Sequence, residues 1–369
     1  MRLEGLELRR VEMPLVSPFQ TSFGTETVRD ALLIRAVADG VEGWGECVAT
    51  SEPRYSSEYV DGAQAVIERF LGPAVLARDD LTAETVGAVL EPFVGHHMAK
   101  AAVEMAVLDL QLRMREMSFA SYLGAVVDRV PSGVSVGIQP RLDDLVRVVG
   151  GYLDEGYVRI KIKIKPGWDV EPVRVLREAY GPDVPLQVDA NSAYTLADAQ
   201  IFRDLDAYGL LLIEQPLYED DLRLHAQLAG MISTPICLDE SIVSARAAAD
   251  AIALGATSVI NIKAGRVGGY LEARRIHDLA MANGVAVWCG GMVETGIGRS
   301  ANAALAALPG FTLPGDISAS SRFYELDITP PVVMEDGHVA VPQGPGMGPL
   351  PLPDHLEKVT TSSVWLARS

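Results

Sequence analysis

Leu186-Gln-Val-Asp189, Leu211-Leu-Ile-Glu214 and Pro235-Ile-Cys-Leu-Asp239 are three apolar runs that each end in a carboxylate, the acids standing 25 residues apart. A lysine holds the equivalent place one unit earlier, in Ile160-Lys-Ile-Lys163, and another one unit later, in Val259-Ile-Asn-Ile-Lys263. About 25 residues make one strand, one helix and two short loops. This is therefore the rhythm of a parallel β/α barrel, in which strand ends converge on one face and carry the catalytic groups. Around that arc the order is lysine, three carboxylates, lysine. It suggests a divalent metal flanked by two acid/base groups.

Working outward, apolar strand candidates lie at 133–138, 157–163, 185–189, 210–214, 234–239, 257–263, 285–290 and, more weakly, 311–315. Amphipathic stretches such as 141–154, 170–180 and 270–283 separate most of them. Only a short helix precedes the eighth strand, which makes closure there the weak point. The first 125 residues differ: strand-like alternation at 3–14 and 30–47, a polar-aromatic loop from Pro18 to Gly24, then helical spacing over 57–90 and 98–116. That is an α+β pattern. The Pro- and Gly-rich tail, 326–369, has one last strand-like piece, expected to return to the N-terminal region. The fold expected is α/β, a modified TIM-type (β/α)7β barrel with an α+β capping domain formed by the N-terminal region and the C-terminal tail. Its parts are 1–125 (capping), 126–322 (barrel) and 323–369 (returning segment).

Composition narrows the function. Lysine and arginine total 31 against 49 acidic residues, a net charge of −18, the wrong sign for a nucleic-acid footprint. No stretch approaches the ~20 apolar residues of a membrane span, and the start lacks a secretory segment. Cys47, Cys237 and Cys289 are isolated and set in apolar runs. They read as reduced, buried thiols of a cytoplasmic protein.

Three carboxylates within a few ångströms repel unless a cation sits between them, and an all-oxygen set suits Mg²⁺ or Mn²⁺ rather than zinc. In Lys161-Ile-Lys-Ile-Lys165 all three lysines face one side of an extended strand. Spacing alone does not choose between Lys163 and Lys165 for the barrel mouth. Pro166-Gly167 follows at once and favours Lys163. Lys161 would then lie beneath and lower its neighbour's pKa. Lys263 stands across the barrel, and Arg266, three residues on, is either a charge that tunes it or an exposed ion pair. The glycine-rich runs 265–269 and 290–298 match no phosphate-binding pattern. His96-His97 read as surface or core histidines.

These residues resemble the enolase superfamily, in its muconate-lactonizing subgroup, and most closely the o-succinylbenzoate synthase / N-acylamino acid (N-succinylamino acid) racemase family. Carrying the resemblance are Pro14-Leu-Val-Ser-Pro-Phe-Gln-Thr-Ser-Phe-Gly24, Gly151-Tyr-Leu-Asp-Glu-Gly-Tyr-Val-Arg-Ile-Lys161, Cys237-Leu-Asp-Glu-Ser241 and Cys289-Gly-Gly-Met-Val-Glu-Thr-Gly296. Cys289 stands where mandelate-racemase relatives would carry a histidine, and Asp316-Ile-Ser318 lacks the second acid of dipeptide epimerases. The resemblance implies Asp189, Glu214 and Asp239 as ligands of Mg²⁺ (Mn²⁺ or another divalent ion being alternatives). Lys163 and Lys263 would be the catalytic pair, supported by Lys161 and Arg266. Phe19, Tyr55, Ser135, Asn191, Gly291, Met292 and Phe323 would line the substrate pocket. A Lys base with Mg²⁺ is the general description of such sites. The implied chemistry is α-proton abstraction from a small carboxylate substrate through an enediolate. The product would be o-succinylbenzoate, on the route to menaquinone, or a racemised N-acylamino acid. A cytoplasmic homo-oligomer is implied as well. A muconate-type cycloisomerase or another racemase/epimerase is the rival within the superfamily. A Schiff-base aldolase, needing no metal, and a non-catalytic anion binder are the distant ones.

Overall fold

The computed structural model describes residues 1–368. The chain opens with three antiparallel strands, β1 (Gly5–Gln20), β2 (Thr25–Ala38) and β3 (Val41–Cys47). Asp39 and Gly40, with φ of 52° and 73°, form the two-residue turn between β2 and β3. An Asp-Gly pair at positive φ matches the twist of the flanking strands, so the expected single run 30–47 is a hairpin. Likewise β1 and β2 reach past the expected ends at 14 and 30 into the presumed loop. Their pairing breaks between Pro14 and Phe19 and resumes at Phe19↔Glu26 and Gln20↔Thr25. The strand therefore carries Phe19 and Thr21 out to the tip of a long arm. Helices follow, the longest being His97–Met114.

The barrel begins after β4 (Arg129–Pro131) with β5 (Gly133–Val136), β6 (Arg159–Lys163), β7 (Leu186–Asp189), β8 (Ile213–Glu214), β9 (Ile236–Leu238), β10 (Val259–Ile262) and β11 (Ala286–Cys289). These seven strands lie side by side in chain order and run parallel. Helices Leu142–Asp154, Val170–Tyr180 and Tyr270–Ala282 match the amphipathic stretches to within a residue. The eighth strand, expected at 311–315, is not a regular strand. Phe311 bridges Val287 of β11, and Gly315 bridges Ser132 beside β5. Gly133 N–H donates to Gly315 O at 2.7 Å, so the segment still closes the ring. Pro314, lacking an N–H, prevents a continuous ladder. The helix before it, Gly296–Ala306, is buried apart from Ala306, its polar Arg299, Ser300 and Asn302 included.

The tail forms β12 (Met334–Glu335) and β13 (His338–Ala340), which pair with each other while β13 also pairs with β4, and then β14 (Thr360–Ala367), which pairs antiparallel with β1. The C-terminus thus completes a four-stranded sheet, β14-β1-β2-β3, in the N-terminal region. Among the described residues no helix is long and apolar enough to cross a membrane. Cys47, Cys237 and Cys289 are buried free thiols.

Buried carboxylates of the N-terminal region grip helix ends of the barrel. Glu104 accepts from Tyr270 N–H at 2.8 Å and Leu271 N–H at 2.9 Å, at the start of helix Tyr270–Ala282. Gly269, at φ 137°, makes room: a Cβ there would stand 2.5 Å from the Glu104 carboxylate. Close approach, not phosphate binding, accounts for that glycine. Glu46 caps helix Gly296–Ala306 in the same way, accepting from Thr295 N–H at 3.0 Å and Gly298 N–H at 3.0 Å. Glu104→Ala strands two buried donors and is expected to cost about 2–4 kcal/mol of unfolding free energy, with Glu104→Gln retaining part of it. Urea denaturation checks this; a loss under about 0.5 kcal/mol would mean that water replaces the cap without cost.

Candidate active site

Strand register brings the charged residues together. Lys163, Asp189 and Glu214 are consecutive partners across β6, β7 and β8. Glu214 pairs with Cys237 of β9, which sets Asp239 two residues further out. Lys263 follows β10 and opens the short helix Ala264–Val267. In the order of the seven strands β6 and β10 are four apart, so their lysines approach from opposite sides of the mouth.

Asp189, Glu214 and Asp239 are fully buried, each at 0 % exposure. Lys163 Nζ donates to Asp189 Oδ2 at 2.6 Å and Asn191 Oδ1 at 2.8 Å. Lys263 Nζ donates to Asp239 Oδ2 at 2.7 Å and Tyr55 Oη at 3.1 Å. Lys161 lies between Asp316, Glu214 and Asp189, with Nζ at 2.6, 3.1 and 3.4 Å from their oxygens and 4.8 Å from the centre of the Trp288 ring. Lys165 is outside β6 and partly exposed, whereas Lys163 ends β6 and lines the cavities at the mouth.

Burial, the largest influence, acts to lower the Lys161 pKa, but Asp316, Glu214 and Asp189 together outweigh it and raise it. Lys263 behaves alike: burial depresses it, while Tyr55, Glu240 and the carboxylates hold it above the ordinary lysine range. Burial also acts to raise Asp189, yet Lys163 and Lys161 carry it below the usual carboxylate range. Glu214 goes the other way, raised by burial and by the neighbouring charge of Asp189.

Arg266 is buried rather than exposed. It pairs with Asp239 through Nη1 and donates to Asn261 O at 2.9 Å and Ile242 O at 3.1 Å. Tyr55 Oη stands 3.3 Å from Arg266 Nη1, so Tyr55, Lys263, Arg266 and Asp239 form one cluster. His96 is exposed and His97 partly buried, on the helix that starts there.

Among the described residues no three His, Cys, Asp or Glu side chains are close enough to enclose a metal ion as they stand. Their oxygens are engaged by the ammonium groups instead. The donors nevertheless suit a hard divalent ion. All three are carboxylates, and Glu214 Oε2 is buried with only the Lys161 ammonium, shared with Asp316 and Asp189, beside it.

Two adjoining cavities open above these groups and share Phe19, Lys163, Lys263, Gly291 and Val293. Ser135 and Phe323 line the first, and Tyr55, Asn191 and Met292 the second. All seven expected pocket residues therefore meet at one mouth, with Phe19 and Tyr55 supplied by the N-terminal region. The strand spacing gave no sign of four further residues. Asp316 is paired with Lys161 and with Arg159 at 2.8 Å. Glu240 accepts from Asn191 Nδ2 at 2.9 Å, and burial pushes its carboxyl up to about 7. Val293, β-branched yet at φ 58°, is strained backbone on the cavity wall.

The N-terminal region, residues 5–124, matches the mandelate racemase / muconate lactonizing enzyme N-terminal domain, and residues 144–352 match an enolase C-terminal domain-like family. The chain is 64% identical over 366 residues to an N-succinylamino acid racemase from an Amycolatopsis species, covering 99% of this chain and 100% of that protein. It is 48% identical over 350 residues to an o-succinylbenzoate synthase from Geobacillus kaustophilus, covering 94% and 93%. A crystal structure of an enolase superfamily member from Listeria innocua superposes with a TM-score of 0.96 at 37% identity over 100% of both chains. By fold, strand-end residues and these matches over nearly all its length, the chain belongs to the enolase superfamily, in the mandelate racemase / muconate lactonizing enzyme family.

Proposed function

We propose that this chain removes the α-proton of a small carboxylate substrate, acting as an N-acylamino acid racemase, an o-succinylbenzoate synthase, or both. The observation that carries the reading is the pair Lys163 and Lys263, which enter a shared cavity from opposite strands above three buried carboxylates. Asp189, Glu214 and Asp239 would hold a divalent ion, Mg²⁺ or Mn²⁺, which supplies positive charge where the substrate carboxylate gains negative charge. Relatives named as N-succinylamino acid racemase and as o-succinylbenzoate synthase support both activities on one constellation.

In racemisation Lys163 takes the α-proton from one face and Lys263 returns one to the other, or the reverse. In dehydration Lys163 takes the α-proton of 2-succinyl-6-hydroxy-2,4-cyclohexadiene-1-carboxylate. The C–H electron pair becomes the new C=C bond. The ring hydroxyl leaves with the proton from Lys163, as water. Lys263, an ammonium held by Tyr55 and Asp239, stays charged and offsets the developing anion. The dehydration is a step toward menaquinone, and the reading includes a cytoplasmic homo-oligomer.

The test is kcat/KM for dehydration and for racemisation of N-succinylphenylalanine on one preparation, with α-proton exchange followed in D₂O. Exchange with at least one substrate is expected. No exchange with either would remove the proposal, and turnover of muconate alone would favour a cycloisomerase.

A further inference from the structure

Of the three strand-end carboxylates, Asp189 and Asp239 have cationic partners of their own. Lys163 donates to Asp189 at 2.6 Å, and Lys263 donates to Asp239 at 2.7 Å with Arg266 on the other oxygen. Glu214 differs. Its Oε1 accepts from Asn261 Nδ2 at 2.7 Å, while its nearest cation, Lys161 at 3.1 Å from Oε2, is closer to Asp316 at 2.6 Å. Asn261 stands on β10 two residues before Lys263, level with Trp288 of β11, so its side chain faces the barrel interior as the lysine does. It is fully buried. Its surroundings leave the amide little freedom to turn away. The Asn261 carbonyl accepts from Arg266 Nη2 at 2.9 Å, and the side chain lies against the backbone of Gly290. A Cβ at position 290 would stand 2.2 Å from Asn261 Oδ1, 2.7 Å from Nδ2 and 2.8 Å from Cγ. Close approach therefore accounts for this glycine, the first of the run 290–298.

The amide gives direction without charge. A cationic side chain in its place would neutralise Glu214 and oppose a divalent ion. Without any donor there, Glu214, the longest and most rotatable of the three acids, would be held only by a lysine that it shares with Asp316 and Asp189. The geometry points to Asn261, set in place by Gly290, as the positioning residue that fixes the Glu214 carboxylate for a divalent ion. The inference deepens the proposed function and rests on its metal site. Asn261 lines neither cavity, so it acts through Glu214.

The probe is Mn²⁺ alone, added to metal-free protein, with affinity read by calorimetry and by the electron spin resonance of free ion. Asn261→Leu keeps the size of the side chain and removes the donor. Affinity is expected to fall about 10- to 100-fold, the scale of losing a hydrogen-bonded support behind a metal ligand. Saturating Mn²⁺ should then recover most of the lost turnover, which a general folding defect would not allow. Gly290→Ala leaves Asn261 and Glu214 chemically intact but pushes the amide aside, and should lower Mn²⁺ affinity about tenfold. If Asn261→Leu does not fold, Gly290→Ala decides. Affinity within about threefold of the wild type, in folded Asn261→Leu or in Gly290→Ala, overturns the proposal. Wild-type protein that binds no Mn²⁺ overturns instead the metal reading beneath it, before any variant is made.

Discussion

Lys163→Ala is expected to lower both racemisation and dehydration at least about 10³-fold, the scale of a lost general base. The fold should survive. Asp189 keeps Lys161 at 3.4 Å when its partner at 2.6 Å is removed, so no buried carboxylate is left without a cation. A sharper outcome comes from the two-sided arrangement. In the racemase direction each lysine serves one enantiomer, so Lys163→Ala should still let Lys263 exchange the α-proton of one enantiomer with D₂O. Lys263→Ala should show the opposite stereochemistry. Lys163→Arg keeps a positive charge beside Asp189 but is no base at neutral pH, and should be as inactive as the alanine variant. Near-normal turnover in Lys163→Ala, or loss of exchange for both enantiomers alike in each variant, would mean that the lysines do not act from opposite faces.

Much of this was legible in the sequence because barrel geometry is periodic. Acids at 189, 214 and 239 and lysines at 163 and 263 are placed by strand ends, and strand ends recur with the βα unit. The return of the tail to β1 was legible as one strand-like piece after a Pro/Gly-rich stretch. Other features depend on contacts that no local pattern encodes. Arg159 and Asp316 come from opposite ends of the barrel sequence and meet at 2.8 Å only when the ring closes. Glu46 and Glu104 sit in otherwise apolar settings, where a single acid looks like an outlier until the helix ends they cap are seen. Helix Gly296–Ala306 was legible only as a short helix, and the burial of its polar Arg299, Ser300 and Asn302 comes from packing that no local pattern encodes. The electrostatics of the lysines were also underdetermined. A lysine pair on one strand suggests mutual depression of pKa, but in the folded chain carboxylates from three other elements reach Lys161 and reverse the sign there.

Removing divalent ions with a chelator is expected to abolish turnover, and added Mg²⁺ or Mn²⁺ to restore it. The physical reason lies in the three carboxylates, fully buried oxygen donors whose present partners are side-chain ammonium and guanidinium groups. Glu214 is the least compensated of the three, since burial and the charge of Asp189 push its pKa up, and Oε2 has only Lys161 Nζ, at 3.1 Å, which Asp316 and Asp189 share. A dication among these oxygens would favour their charged forms and free Lys163 and Lys263 from Asp189 and Asp239. Glu214→Gln separates this role from simple packing. Gln keeps the side-chain shape and the acceptor for Asn261 Nδ2, now at 2.7 Å, but loses one negative charge. Mn²⁺ affinity, read by calorimetry or by the electron spin resonance of free ion, should fall about 100-fold or more, since affinity follows the count of charged ligands. Thermal stability without metal should hold or rise, because one buried charge in a crowded set is removed. Full turnover in excess chelator, or unchanged Mn²⁺ affinity in Glu214→Gln, would show that the three carboxylates serve only as counter-ions to the lysines.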